Sequence, residues 1–262
     1  MPIEPTRQLH YEIAGPAQAP VLVLANSLGT TLGMWQPQMA AWTARYRVLR
    51  HDTRGHGRSP LPAAGAASGF GFDDLAADIV AILDHAGIAR AHYCGLSMGG
   101  MTGMVLARHH ADRFDRFVFA NTAAQIGPES VWNARIETVR RGGMDAIVEG
   151  VLARWFTDDY RARPDAGIGP VREMLARTDP AGYLANCAAV RDADLRPLLA
   201  GIDAEVLVIA GERDLATTAA QGRAVAESIG GAHFLSLDAA HLSNWEVPAA
   251  FADAVSNFLA LR

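Results

Sequence analysis

Gly95-Leu96-Ser97-Met98-Gly99 is the segment whose residue types and spacing most directly suggest chemistry. It follows the apolar run His92-Tyr93-Cys94 and precedes a helical pattern, which places the serine on a sharp turn between a strand and a helix. Such a turn requires its glycines. The serine backbone is held in a strained conformation, and side chains at the flanking positions would collide with the neighbouring strand or helix. The turn pushes the hydroxyl outward, and the helix N-terminus behind it favours developing negative charge. Ser97 is therefore expected to be a nucleophile toward a carbonyl carbon.

A serine hydroxyl attacks poorly until a base takes its proton. A nucleophile on this kind of turn is expected to be followed along the chain first by an acid and then by a histidine. Asp214 ends Gly211-Glu212-Arg213-Asp214, directly after the apolar run Val206 to Ala210. His241 ends Ala239-Ala240-His241, just after Phe234 to Leu237. Both would reach the same sheet edge as Ser97, so Asp214 is read as the orienting acid and His241 as the base. Glu212 and Asp238 compete for the acid's role, but one stands two residues before Asp214 and the other lies on the strand of His241 itself. His56, in Asp52-Thr53-Arg54-Gly55-His56-Gly57, reads as part of a structural turn. The oxyanion that forms on attack needs two N–H donors. Met98, the residue after the nucleophile, supplies one, and Leu28 in the loop Asn26-Ser27-Leu28-Gly29-Thr30 supplies the other.

These residues need a frame that delivers them to one edge. Short apolar runs read as strands at Leu9 to Ile13, Val21 to Ala25, Tyr46 to Leu49, His92 to Leu96, Arg116 to Ala120, Val206 to Ala210 and Phe234 to Leu237. Helical patterns lie between them, such as Phe72 to Ala86, whose Leu75, Ile79, Ile82 and Leu83 share one face, and Met98 to His109. The alternation predicts an α/β fold with a mainly parallel sheet covered on both faces, and an antiparallel edge strand at Leu9 to Ile13. Between about Ala123 and Asp194 the alternation stops. Helices are predicted at Val131 to Arg141, Met144 to Phe156, Gly169 to Thr178 and Ala181 to Val190, punctuated by Pro164, Pro170 and Pro180. A helical insertion between two strands suggests a lid over the strand ends, where open α/β sheets keep their ligand sites.

Composition excludes several alternatives. Half of the 262 residues are hydrophobic, the net charge is −5, and no basic run exists, so nucleic acid is not an expected partner. All 23 Lys+Arg residues are arginine, which removes Schiff-base lysines and lysine-dependent phosphate loops. Cys94 and Cys187 give neither a disulfide framework nor a metal spacing, and His109 and His110 have no matching ligand cluster. No metal and no cofactor are expected. The N-terminus does not read as a signal peptide and no segment is long enough to span a bilayer, so the expected location is cytoplasmic, with no membrane partner.

Taken together, the chain resembles the 3-oxoadipate enol-lactonases of the α/β-hydrolase superfamily. The resemblance rests on Asn26 to Gly29, Asp52 to Gly57, Cys94 to Gly100, Asn121 to Ala124, Arg154-Trp155-Phe156 and His241-Leu242-Ser243-Asn244. It implies the α/β-hydrolase fold, with the core at 1–122 and 195–262 and a helical lid at 123–194 inserted after the sixth strand. It also implies hydrolysis of an enol-lactone to 3-oxoadipate through an acyl-enzyme, in the β-ketoadipate route of aromatic-acid catabolism. That small-molecule substrate carries a carboxylate, for which Arg135, beside Trp132, is the candidate partner. Trp155 is a candidate wall of the pocket. Arg135 also has a plain reading as a solvated or structural helix residue, and Trp155 as a packing residue of the lid. Hydrolysis of another ester or lactone, C–C bond hydrolysis, or a slow-turnover ligand receptor would use the same serine arrangement.

Overall fold

A computed structural model describes residues 9–61 and 69–260. Seven strands form one sheet: β1 (Tyr11–Ala14), β2 (Val21–Ala25), β3 (Arg47–His51), β4 (Ala91–Leu96), β5 (Phe114–Ala120), β6 (Val206–Gly211) and β7 (His233–Leu237). Their order is β1-β3-β2-β4-β5-β6-β7. β1 pairs antiparallel with β3, and every other pair is parallel. β2 and β6 are unbroken apolar runs because both their faces are covered; Leu22, Val23 and Leu24 have no exposed surface. β1, at the edge, stays half-exposed.

Twelve α-helices complete the described residues. α1 (Gln36–Thr43), α2 (Phe72–His85) and α3 (Met98–His109) belong to the first half of the sheet. α2 buries Leu75, Ile79, Ile82 and Leu83, the face its spacing predicts. Six helices then intervene between β5 and β6: α4 (Glu129–Gly142), α5 (Val148–Trp155), α6 (Asp158–Arg161), α7 (Gly169–Ala176), α8 (Pro180–Asp192) and α9 (Arg196–Leu199). α10 (Ala219–Ser228), α11 (Ser243–Glu246) and α12 (Pro248–Leu259) close the chain. Among the described residues no helix is long and apolar enough to cross a membrane.

Two expectations are corrected. The insertion follows the fifth strand rather than a sixth, because among the described residues β1 alone precedes β2. The single helix expected over Met144 to Phe156 is interrupted at Ile147, whose φ of −114° leaves the helical range, so a short 3-10 turn precedes α5.

The insertion sits directly on the sheet's C-terminal loops. α8 touches the loop after β3 at Gly182, where an added Cβ would overlap the Gly55 backbone. Beside that contact, Asn186 Nδ2 donates to the Arg54 carbonyl at 2.9 Å. Arg54 itself is held by a buried two-point ion pair with Asp78 of α2, both N···O distances being 2.6 Å.

Candidate active site

The strand register determines which loops meet. Ala25 at the end of β2 pairs with Gly95 of β4, so the loop after β2 and the turn after β4 leave the sheet side by side. The sequence order of the strands reverses at this pair, where open sheets leave a crevice. β6 and β7 pair through Gly211 and Leu237, which brings the loops carrying Asp214 and His241 to the same end.

Ser97 occupies φ 57°, ψ −115°, a rare conformation for a residue with a Cβ. Its flanking glycines permit that turn. A Cβ on Gly95 would overlap the Gly99 carbonyl, and one on Gly99 would overlap the Ala25 carbonyl. The turn is also pinned by hydrogen bonds, from Ser97 N–H to Ala120 O at 2.8 Å and from Gly99 N–H to Asn26 O at 3.0 Å.

Ser97 and His241 line one cavity, together with Leu28 and Met98. His241 Nδ1 lies 2.8 Å from Asp214 Oδ2, and both side chains are buried. With the Nδ1 proton directed at a carboxylate, Nε2 is left as the acceptor on the cavity side. Asp214 also accepts from Ala216 N–H at 2.7 Å, Thr217 N–H at 3.0 Å, Thr217 Oγ1 at 3.0 Å and Asn121 Nδ2 at 3.2 Å. Burial opposes the charge on Asp214, but His241 and the surrounding N–H donors outweigh it and hold the carboxyl below its usual range. Glu212 instead accepts from Ser236 on the surface, and Asp238 pairs with Arg213. Neither of these two approaches His241 by any hydrogen bond among the described residues.

The amides of the β2 loop are largely committed. Ser27 N–H points at Met34 Sδ, Thr30 N–H bonds Ser27 O, and Gly29 N–H donates to His56 Nε2 at 2.9 Å. Among the described residues no hydrogen bond uses the Leu28 or Met98 N–H, and both residues line the cavity. The loop's foot is fixed by Asn26, whose side chain bonds His51 O and Trp35 Nε1.

Trp132, Arg135 and Trp155 all line the same cavity, from α4 and α5. The Arg135 guanidinium stacks on the Trp132 ring at 4.9 Å. Among the described residues no group of three or more His, Cys, Asp or Glu is placed to hold a metal ion.

Four residues here carry roles that the sequence reading did not assign. His56 is indeed in a turn, and it also holds the β2 loop. Asn121, fully buried at the end of β5 with φ 43°, donates to both Asp214 and Ala240 O and accepts from Ser243 Oγ. Glu246 accepts from Ala240 N–H at 3.0 Å and from the Thr157 hydroxyl. Arg154 lines the cavity beside Arg135. His56, Asn121 and Arg154 each stood inside a segment that carried the resemblance, and Glu246 stood two residues beyond one; none has a spacing that would reveal its contact.

Comparison with known proteins agrees with this frame. A family model described as the alpha/beta hydrolase fold matches residues 20–142. The 3-oxoadipate enol-lactonase 2 of Acinetobacter baylyi is 42% identical over 94% of this chain and 91% of its own length. The 3-oxoadipate enol-lactonase 1 of the same organism is 40% identical over 97% and 93%. The crystal structure of the enol-lactonase from Burkholderia xenovorans LB400 superposes with a TM-score of 0.92 at 48% identity, covering 97% of this chain and 96% of that one. The protein is a hydrolase acting on a carboxylic ester or lactone. The chain belongs to the 3-oxoadipate enol-lactonase family of the α/β-hydrolase superfamily.

Proposed function

We propose that this hydrolase opens the ring of a 3-oxoadipate enol-lactone to give 3-oxoadipate, within aromatic-acid catabolism, through a Ser97-His241-Asp214 triad. The observation that carries the proposal is the buried 2.8 Å contact between His241 Nδ1 and Asp214, with Ser97 and His241 lining the same cavity. Relatives named for this reaction along nearly the whole chain support the choice of substrate.

Ser97 Oγ attacks the lactone carbonyl carbon while His241 Nε2 takes its proton. The Leu28 and Met98 N–H groups hold the oxyanion; one such donor is typically worth about 3 kcal/mol of transition-state stabilisation. Collapse breaks the ring C–O bond, and His241 returns the proton to the departing enol oxygen. The enol stays tethered within the acyl-enzyme. Water, deprotonated by His241, attacks the acyl carbon and releases the acid and Ser97, and the enol tautomerises to the ketone. Every step uses side chains and amides of this chain alone.

In this reading residues 123–194 act as a lid over a core formed by 1–122 and 195–262, with Trp132 and Trp155 walling the pocket and Arg135 facing the substrate carboxylate. The test is a lactone and ester panel with wild type and Ser97→Ala. Turnover is expected to fall at least a thousandfold in the variant. Retention of enol-lactone hydrolysis by Ser97→Ala would remove the proposed mechanism.

A further inference from the structure

The cavity around Ser97 holds an imbalance of charge. Two arginines line it, Arg135 from α4 and Arg154 from the last turn of α5, and no acidic residue lines it among the described residues. The remaining lining is mostly apolar or aromatic, with Trp132, Trp155, Val151, Val190 and Ile126 among it. Neither arginine forms an ion pair with a carboxylate among the described residues. Each is instead held in place by an uncharged partner. The Trp132 ring supports Arg135, and Arg154 Nη2 donates to the Leu215 carbonyl at 3.2 Å. The nearest carboxylate on that side, Asp214, is already committed to His241, Asn121 and Thr217.

We propose that Arg154 and Arg135 together form a two-guanidinium anion site, which selects substrates whose acyl or leaving portion ends in a carboxylate. This rests on the hydrolase reading above and adds Arg154 as a specificity-determining residue. Like charges sharing one cavity repel one another, and an anion seated between them relieves that repulsion. Burial first, and then the positive charge of Arg135, hold the Arg154 guanidinium below its usual range. A planar fork suits a carboxylate in a way that a flexible ammonium does not. Hydrolysis also creates a second carboxylate at Ser97, so the product is a dianion with one end still in the arginine site. A saturated six-carbon dicarboxylate should therefore bind as the product does.

The test uses two p-nitrophenyl esters of equal length, hexanoate and hydrogen adipate, which differ by one terminal carboxylate. The quantity read is the ratio of kcat/KM for the adipate ester to that for the hexanoate ester. Arg154→Ala is expected to lower this ratio ten- to a hundredfold, and to weaken inhibition by adipate by a similar factor. Arg154→Lys is expected to lower it less, since the charge remains and the fork is lost. An unchanged ratio would mean that Arg154 only ties α5 to the Leu215 loop, and would overturn the proposal. If Arg154→Ala fails to fold, Arg154→Gln keeps a donor for Leu215 O without the charge, and the same ratio decides. Binding of adipate to wild type by calorimetry needs no turnover. A failure of the enol-lactone reading therefore leaves the anion site testable, and a failure of adipate to bind removes the anion site alone.

Discussion

Gly29 donates its backbone N–H to His56 Nε2 across 2.9 Å, inside the protein. This bond links the loop after β2 to the loop after β3 and holds the residue beside Leu28, which lines the cavity. Without an acceptor at His56 the Gly29 amide is buried and unpaired, which costs about 1–3 kcal/mol, and the loop can relieve that cost by rotating. His56→Ala is therefore expected to lower kcat for an activated ester ten- to a hundredfold. His56→Gln, which can place an oxygen near the Nε2 position, is expected to recover part of the loss. Steady-state kinetics on the two variants check this, and equal rates for wild type and His56→Ala would show that the bond does not position the oxyanion donors.

The same histidine makes stability depend on pH. Burial lowers its pKa from 6.5 to about 4. Between those values the unfolded chain binds a proton that the folded protein refuses, so stability falls as pH drops from about 6.5 toward 4 and does not depend on this group above that window. At ~1.4 kcal/mol per pH unit, the full effect is about 3 kcal/mol. Urea unfolding of wild type and His56→Gln at pH 7.5 and pH 4.5 isolates it from His51 and His92, which burial also depresses. The stability gap between the two proteins is expected to shrink by about 2 kcal/mol at the lower pH.

Asn121 links Asp214 to the segment that carries His241. Its Nδ2 donates to Asp214 and to the carbonyl of Ala240, next to His241, while its Oδ1 accepts from the Ser243 hydroxyl at 2.5 Å. Removing the side chain leaves three buried polar groups short of a partner, so Asn121→Ala is expected to lower kcat ten- to a hundredfold and to reduce Tm. Its φ of 43° also strains alanine, so Asn121→Gly serves as the control for backbone conformation. If the glycine variant keeps wild-type kcat, the loss in alanine comes from backbone strain and the side-chain role is wrong.

The strands were legible because covered strands are continuous apolar runs, and β2 is Val-Leu-Val-Leu-Ala with almost nothing exposed. Ser97 was legible because its turn demands glycines at fixed offsets, each filled by a carbonyl in the structure. Single-turn helices such as α6 and α9 were not, since four residues give no period. The supporting contacts of His56, Asn121 and Glu246 were hidden for a different reason. Each joins residues separated by between 6 and 122 positions. Such partners are chosen by strand order and loop path, and composition or periodicity in one sequence carries no record of them.

Glu246 couples the loop of His241 to the insertion. One carboxylate accepts from Ala240 N–H, at 3.0 Å, and from both the N–H and the hydroxyl of Thr157. A second bond runs parallel to it, from Leu242 N–H to Trp155 O at 3.0 Å. The segments that hold His241 and Trp155 are thus fastened at two points, so a displacement of one moves the other. Glu246→Gln replaces one acceptor oxygen by an NH2 group that faces N–H donors, and is expected to cost about 1–3 kcal/mol of stability. Because the clamp touches both the loop of His241 and the cavity-lining Trp155, kcat should fall and KM should rise together, by roughly three- to tenfold each. A purely structural brace predicts a lower Tm with both constants unchanged in the protein that remains folded. Kinetics at 15 °C, well below the melting transition, separate these outcomes, and unchanged constants there would confine Glu246 to stability.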